Sequence, residues 1–224
     1  MEYVDGDVEH DPESMEELLK LGIKAVPVTI WGDEVIIGFN PKELARVFKL
    51  NSEVSQVSPP AMIEKYETVL VAAGRAARQL PDEYLGWNCP ERKRTLGQFT
   101  FHIFDRPDRA LNAYETGHYN LDDRGRHAED VLDKVRFEEI AVYGEDVLSR
   151  VKHGLTGPAQ MDLEKVLETY MGRKTTAELM DLALGHSVHH LKQLYEYMSQ
   201  AGMEPVDKLE DADFQGVAVP TELF

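Results

Sequence analysis

The densest concentration of coordinating side chains in this chain is Gly185-His186-Ser187-Val188-His189-His190-Leu191-Lys192-Gln193-Leu194. His186 and His190 stand four residues apart. On an α-helix that spacing puts them about 40° apart around the axis and about 6 Å apart along it. Two imidazoles so placed can share one metal ion. The apolar-periodic residues around them, Val188 and Leu191 among them, predict that the pair points inward or into a cleft. His102, in Phe99-Thr100-Phe101-His102-Ile103-Phe104-Asp105, is the natural third ligand, again a histidine on an apolar helical run. The pair His186/His189 is the alternative. Gln193 lies about one turn beyond His190, to support a ligand or to pack.

Imidazole suits zinc, nickel, iron and copper. Three neutral histidines leave the ion nearly its full positive charge and at least one coordination position open, the pattern of a catalytic rather than a structural site. Such an ion lowers the pKa of bound water or a bound thiol. Ligating rings commonly donate their other nitrogen to a carboxylate or carbonyl, and Asp105 and Asp181 lie within about a turn and a half of the candidate ligands. His10, His118, His127 and His153 sit in polar or loop contexts and read as surface residues. Glu16-Glu17 and Glu138-Glu139 read as solvated helix faces, and there is no glycine-rich phosphate loop or serine-centred nucleophile motif.

The elements that must position these residues follow from punctuation and periodicity. Tyr3 to Val8 reads as a short strand, and Asp11-Pro12-Glu13 starts a helix ending at Gly22. Ala25 to Trp31 and Glu34 to Gly38 read as a hairpin about Gly32-Asp33, and Asn40-Pro41 caps a helix from Lys42 to Leu50. The order is β-α-β-β-α. The serine- and proline-rich stretch from Asn51 to Pro60 is a linker. Beyond it, helices are predicted over about 60–80, 95–115, 128–152 and 175–201, with Thr95 as an N-cap and Pro107 kinking the second. Four long amphipathic helices make a four-helix bundle. Residues 154–174 are ambiguous, with Val166 to Tyr170 either extended or one or two helical turns. The chain therefore divides into 1–50, a linker 51–59, a bundle 60–203 and a tail 204–224 that packs on the bundle or on a neighbouring subunit.

Two resemblances attach to these residues. The bundle, over about residues 58–201, resembles the DinB-like superfamily, which is related to bacillithiol- and mycothiol-dependent transferases; Trp87, the Thr95-to-His102 segment and His186-x-x-x-His190-x-x-Gln193 carry the likeness. It implies a divalent metal (zinc, nickel or iron) on His102, His186 and His190, a low-molecular-weight thiol as a possible cofactor, and a homodimer. Lys24-Ala25-Val26-Pro27-Val28-Thr29-Ile30 and Gly32 to Phe39 resemble the back half of a glutaredoxin, over about residues 3–49. That likeness implies a cis peptide bond before Pro27 and a thiol-binding loop around it. The strand and helix that carry the glutaredoxin cysteine are missing. Three readings stay open: a degenerate packing or dimerisation module, a unit that still binds a thiol cofactor's backbone, or a start assigned too late. The fold class expected is mainly α, a DinB-like four-helix bundle behind a partial thioredoxin/glutaredoxin-like unit.

Composition narrows the function classes. A net charge of -17, from 41 acidic against 24 basic residues, opposes binding to nucleic-acid backbones and anionic membranes. The longest basic run, Arg92-Lys93-Arg94, is three residues long. A single cysteine, Cys89, excludes an intramolecular disulfide, a CxxC pair and a cysteine metal cage. No stretch approaches a membrane span, the acidic N-terminus lacks a secretion signal's order, and a cytoplasmic location is expected. Two functions follow. One is a metal-dependent enzyme activating a thiol or water for attack on a small electrophile. The other is a non-catalytic, metal-stabilised assembly module.

Overall fold

The computed structural model describes residues 4–8, 10–23, 26–38, 41–49, 58–90, 93–120, 136–158, 160–217 and 219. Contacts divide the chain into two compact units, Met1–Ser52 and Glu53–Phe224.

The first unit holds α1 (Pro12–Lys20), β1 (Val28–Trp31), β2 (Glu34–Ile37) and α2 (Pro41–Phe48). The Asp11 carboxylate caps α1, accepting from the Glu13 and Ser14 amides at 3.1 and 3.3 Å. Pro12 fills the first helical position, where its missing N–H costs nothing. β1 and β2 pair antiparallel from Trp31↔Glu34 to Val28↔Ile37. The two-residue turn needs left-handed backbone at Gly32 (φ +60°), which glycine adopts without a Cβ penalty. The Val26–Pro27 bond is cis. Leu18 and Ile36 are the buried apolar side chains among this unit's described residues, while Val26, Ile30, Trp31 and Val35 are exposed.

The second unit holds α3 (Pro59–Gln79), α4 (Leu96–Thr116), β3 (His118–Tyr119), α5 (Phe137–Thr156), β4 (Val166–Thr169), β5 (Gly172–Thr175) and α6 (Thr176–Gln200), with short 3₁₀ turns at Asp82–Tyr84 and Asp211–Phe214. The four long helices pack on one another, α3 most extensively with α5 and α4 with α6. Two of them start alike. Thr95 and Thr175 each cap the third amide of the following helix, and Gln98 and Glu178 return the bond to the cap's own amide. This reciprocal pairing satisfies two otherwise orphaned donors. Between the helices lie the fully buried rings of Tyr66, Phe99, Phe104, Phe137 and Tyr197. The Tyr66 hydroxyl donates to the Met180 carbonyl on α6 at 2.7 Å, so its one polar atom is satisfied.

A small three-stranded sheet closes one part of the unit, with β3 parallel to β4 and β4 antiparallel to β5. α4 ends on Gly117 in the left-handed conformation (φ +82°), whose amide bonds the Ala113 carbonyl, and this turns the chain at once into β3. The C-terminal segment packs on the helices: Phe214 and Val217 are buried, and Lys65 donates to the Asp213 carbonyl at 2.9 Å. No helix of the described residues is long and apolar enough to cross a membrane.

Several expectations are corrected. Val4 to Val8, the described part of the expected first strand, is not a strand. Asp5, Gly6 and Asp7 are poor strand formers, and the first unit's sheet is β1 and β2. Among the described residues the order there is α-β-β-α. The linker does not extend to Pro60, because α3 already begins at Pro59 and uses the prolines as its first turn. Asn51 to Val57 lie outside the described residues. The helix expected from 128 begins at Phe137 in the described chain, with Arg136 extended, and runs on to Thr156; residues 121–135 lie outside the described residues. Val166 to Thr169 resolves as extended, paired on both edges.

The α4–α5 contact is close enough to test the packing. A Cβ on Gly144 would fall inside the van der Waals envelope of the Phe104 ring, which is fully buried. Overpacking costs about 1–3 kcal/mol, against a helix-propensity gain of about 1 kcal/mol for glycine to alanine. Gly144→Ala is expected to lower the urea-unfolding free energy; an unchanged or raised midpoint would show that the helices separate freely there.

Candidate metal centre

α4 and α6 bring the three histidines together. The coordinating nitrogens of His102, His186 and His190 all lie within 4.8 Å of one another. His186 Nε2 is 3.1 Å from His102 Nε2. Ring centroids are 5.0 Å apart for His102–His186, 5.1 Å for His102–His190 and 4.2 Å for His186–His190. Two nitrogens bound at 2.0–2.1 Å to one tetrahedral ion lie about 3.3 Å apart. The cluster therefore has the dimensions of a site that could hold a divalent ion. His102 and His190 are buried and His186 is half-buried, so His186 is the most exposed of the three.

Local sequence explains the alignment. Pro107 sits inside α4 and has no N–H to give the Ile103 carbonyl, its partner four residues back. The Ser187 hydroxyl on α6 lies 2.8 Å from that carbonyl and 3.1 Å from the Ala183 carbonyl on its own helix, and its one proton goes to the nearer acceptor, Ile103. One side chain thus satisfies a buried acceptor and ties α6 to α4, and its neighbours in sequence are His186 and, across the tie, His102 next to Ile103. A second support is Gln193. His190 Nδ1 lies 2.6 Å from Gln193 Oε1, one turn further along α6. An amide oxygen only accepts, so Nδ1 carries the proton and Nε2 keeps its lone pair for the cluster. Phe99 packs edge-on against the His190 ring at 5.0 Å.

Of the two carboxylates considered from the sequence, Asp105 is buried with an oxygen 3.8 Å from His102 Nδ1 and 2.8 Å from Arg109 Nε. Asp181 precedes His186 by five residues, about 140° round the helix, and is not among the groups that converge in the cluster. Burial raises its carboxyl above the ordinary range. His189 is half-buried, its ring tilted 5.3 Å from His190, and is not part of the cluster. His10 and Asp7 are paired at 2.7 Å on the surface, His118 and His153 are exposed, and His127 lies outside the described residues. Cys89 is buried.

Sequence reading missed Arg106. It is buried beside the cluster, with Nε 3.4 Å from His102 Nε2 and Nη1 3.1 Å from the Tyr119 hydroxyl. The signal was present: Arg106 follows His102 by four residues and so shares its helix face.

The electrostatics favour neutral rings. Burial pushes all three imidazoles well below their ordinary range; Arg106 adds to this at His102, and the neighbouring histidines add to it at His186 and His190. Neutral imidazole is the form that ligates.

Two expectations follow. Ser187→Ala leaves the buried Ile103 carbonyl without its donor and is expected to cost about 1–3 kcal/mol. In a Pro107→Ala background the restored amide can serve that carbonyl, so the same change costs markedly less; equal losses in both backgrounds, by urea unfolding, would contradict the tie. The second concerns pH. Above about 6.5 the rings are neutral folded and unfolded alike, whereas below it the unfolded chain binds protons that the folded chain refuses. The metal-free protein's urea midpoint is therefore expected to fall from pH 7 toward pH 5.5, less steeply in His186→Gln; a level midpoint would contradict the burial of neutral rings.

No family model matches the sequence, and no curated protein matches it. The fold does have a solved counterpart. A DinB-like protein from Bacillus subtilis matches with a TM-score of 0.51 at 15% identity, over 66% of this chain and 95% of that one. The chain thus has a mainly helical, DinB-like fold with a buried three-histidine cluster that could hold a metal ion.

Proposed function

We propose that His102, His186 and His190 hold a divalent ion (zinc, nickel or iron) and that the site activates a low-molecular-weight thiol or water for attack on a small electrophile. The observation that carries this reading is the convergence of three neutral imidazole nitrogens within 4.8 Å. The donor set fits such an ion: three nitrogen ligands of borderline softness, and a coordination sphere that three ligands leave unfilled. When bound, the ion would lower the pKa of a coordinated thiol or water so that a nucleophile exists at neutral pH.

The chain's own residues do the rest. Gln193 fixes the His190 tautomer, and Asp105, 3.8 Å from His102 Nδ1, favours the proton on that nitrogen, leaving Nε2 toward the cluster. Phe99, packed edge-on to His190, keeps water from that side. The partly exposed edge at His186 is the route for a small molecule. The first unit is read as a partial glutaredoxin-like element, supported by the order of hairpin then helix, and its exposed Val26, Ile30, Trp31 and Val35 support pairing with a second copy in a homodimer.

The test is the metal content of tagless protein by plasma mass spectrometry, beside a His102→Ala/His190→Ala double variant. About one ion per chain, lost in the folded double variant, is expected. A wild type that is empty and takes up neither added zinc nor nickel would rule out the metal-dependent enzyme and leave a non-catalytic assembly module.

A further inference from the structure

One turn of α4 beside the cluster carries four buried charges, Asp105, Arg106, Asp108 and Arg109. Three of them are balanced. Asp105 and Arg109 pair at 2.8 Å. Asp108 accepts from Arg150 on α5 and from the Tyr143 hydroxyl. Among the described residues no carboxylate forms an ion pair with Arg106. Its guanidinium is 8% exposed; the Tyr119 hydroxyl and the neighbouring Asp105 charge help hold it charged against burial, but no carboxylate meets its nitrogens directly.

Its geometry is fixed. Arg106 Nη1 donates to the Tyr119 hydroxyl at 3.1 Å. Tyr119 is buried, stacks on Tyr170 at 5.7 Å, and is held in the sheet by the Tyr170 amide, which donates to its carbonyl at 3.0 Å. With Nη1 so held, Nε points to His102 Nε2 at 3.4 Å. The edge formed by Nε and Nη2 is one that arginine uses to grip a carboxylate with two parallel hydrogen bonds. That edge adjoins the three histidines.

His102 Nε2 has one lone pair, and His186 Nε2 at 3.1 Å and Arg106 Nε at 3.4 Å both face it. An ion held by the cluster takes that lone pair and leaves the Arg106 Nε–H without its acceptor. It also adds two positive charges that neutral ligands do not offset. An anion on the open side of the ion, within reach of the Nε/Nη2 edge, answers both deficits. We propose that Arg106 is an anion anchor beside the metal centre, and that the small molecule this site takes carries a carboxylate. The inference rests on the metal-centre reading above.

The test uses cobalt(II) as the probe metal, with visible absorption reporting its coordination, in the full-length chain. Acetate and imidazole are titrated separately, one an anionic and the other a neutral metal ligand. Arg106→Gln is expected to weaken acetate by about tenfold or more, as loss of charge-assisted hydrogen bonds does, with imidazole affinity and cobalt stoichiometry unchanged. If Arg106→Gln fails to fold or to hold cobalt, Tyr119→Phe carries the test. It releases Nη1 without removing the charge, and about threefold weaker acetate at unchanged imidazole affinity is expected. Equal acetate affinities in wild type and in the cobalt-loaded variant used would overturn the anchor and leave the metal centre standing. A wild type that shows no cobalt spectrum would overturn the metal centre and the anchor with it.

Discussion

The Ile103 carbonyl is where two requirements meet. Pro107 strips it of its helical partner, and a buried carbonyl without a donor is a large liability in a packed interior. Ser187 supplies the donor from another helix. The bond ties α6 to α4 at one point of their contact, and the histidines lie directly beside it: His102 precedes Ile103, and His186 precedes Ser187. A helix pair that could slide by one turn would separate these rings by about 5 Å. The three histidine rings thus lie beside a contact that satisfies one backbone acceptor.

Around that tie the interior is arranged to hold polarity without solvent. Burial keeps the three imidazoles neutral, and Gln193 and Asp105 bias which nitrogen of His190 and His102 keeps its proton. Three of the four charges on that turn of α4, Asp105, Asp108 and Arg109, are paired within the helix or across to α5. The small sheet contributes as well. Gly117 ends α4 and turns the chain into β3, and β3 delivers the Tyr119 hydroxyl to Arg106. Strand pairing with β4 holds that hydroxyl in place, so a peripheral element sets the direction of a buried cation. Likeness in fold to a bundle of only 15% identity does not carry ligand chemistry with it; that rests on the side chains of this chain.

Much of this was legible in order along the chain. The spacing of His186 and His190 places them on one face of any helix, whatever that helix packs against, and the Thr95 and Thr175 boxes act over three residues. Asp11, Pro12 and the Gly32 turn are likewise local, and each formed where its residues stand. Val166 to Thr169 was not legible, because a short apolar run suits a strand or a helix equally until a partner is supplied; here Gly172–Thr175 and His118–Tyr119 supply it. Val4 to Val8 shows the converse, since Asp5, Gly6 and Asp7 suit a strand poorly and the run stays irregular.

Residue types and spacing therefore decided which side chains share a helix face, where helices start, and that three histidines on apolar faces were available as ligands. Tertiary structure decided which faces meet. That His102 lies 3.1 Å from His186, so that the neighbours of His102 on α4, Asp105 and Arg106, lie beside the whole cluster, is a consequence of how α4 and α6 are docked. Periodicity specifies rotation about one helix axis. The register between two helices depends on contacts far apart in sequence, here a serine answering for a proline 80 residues before it.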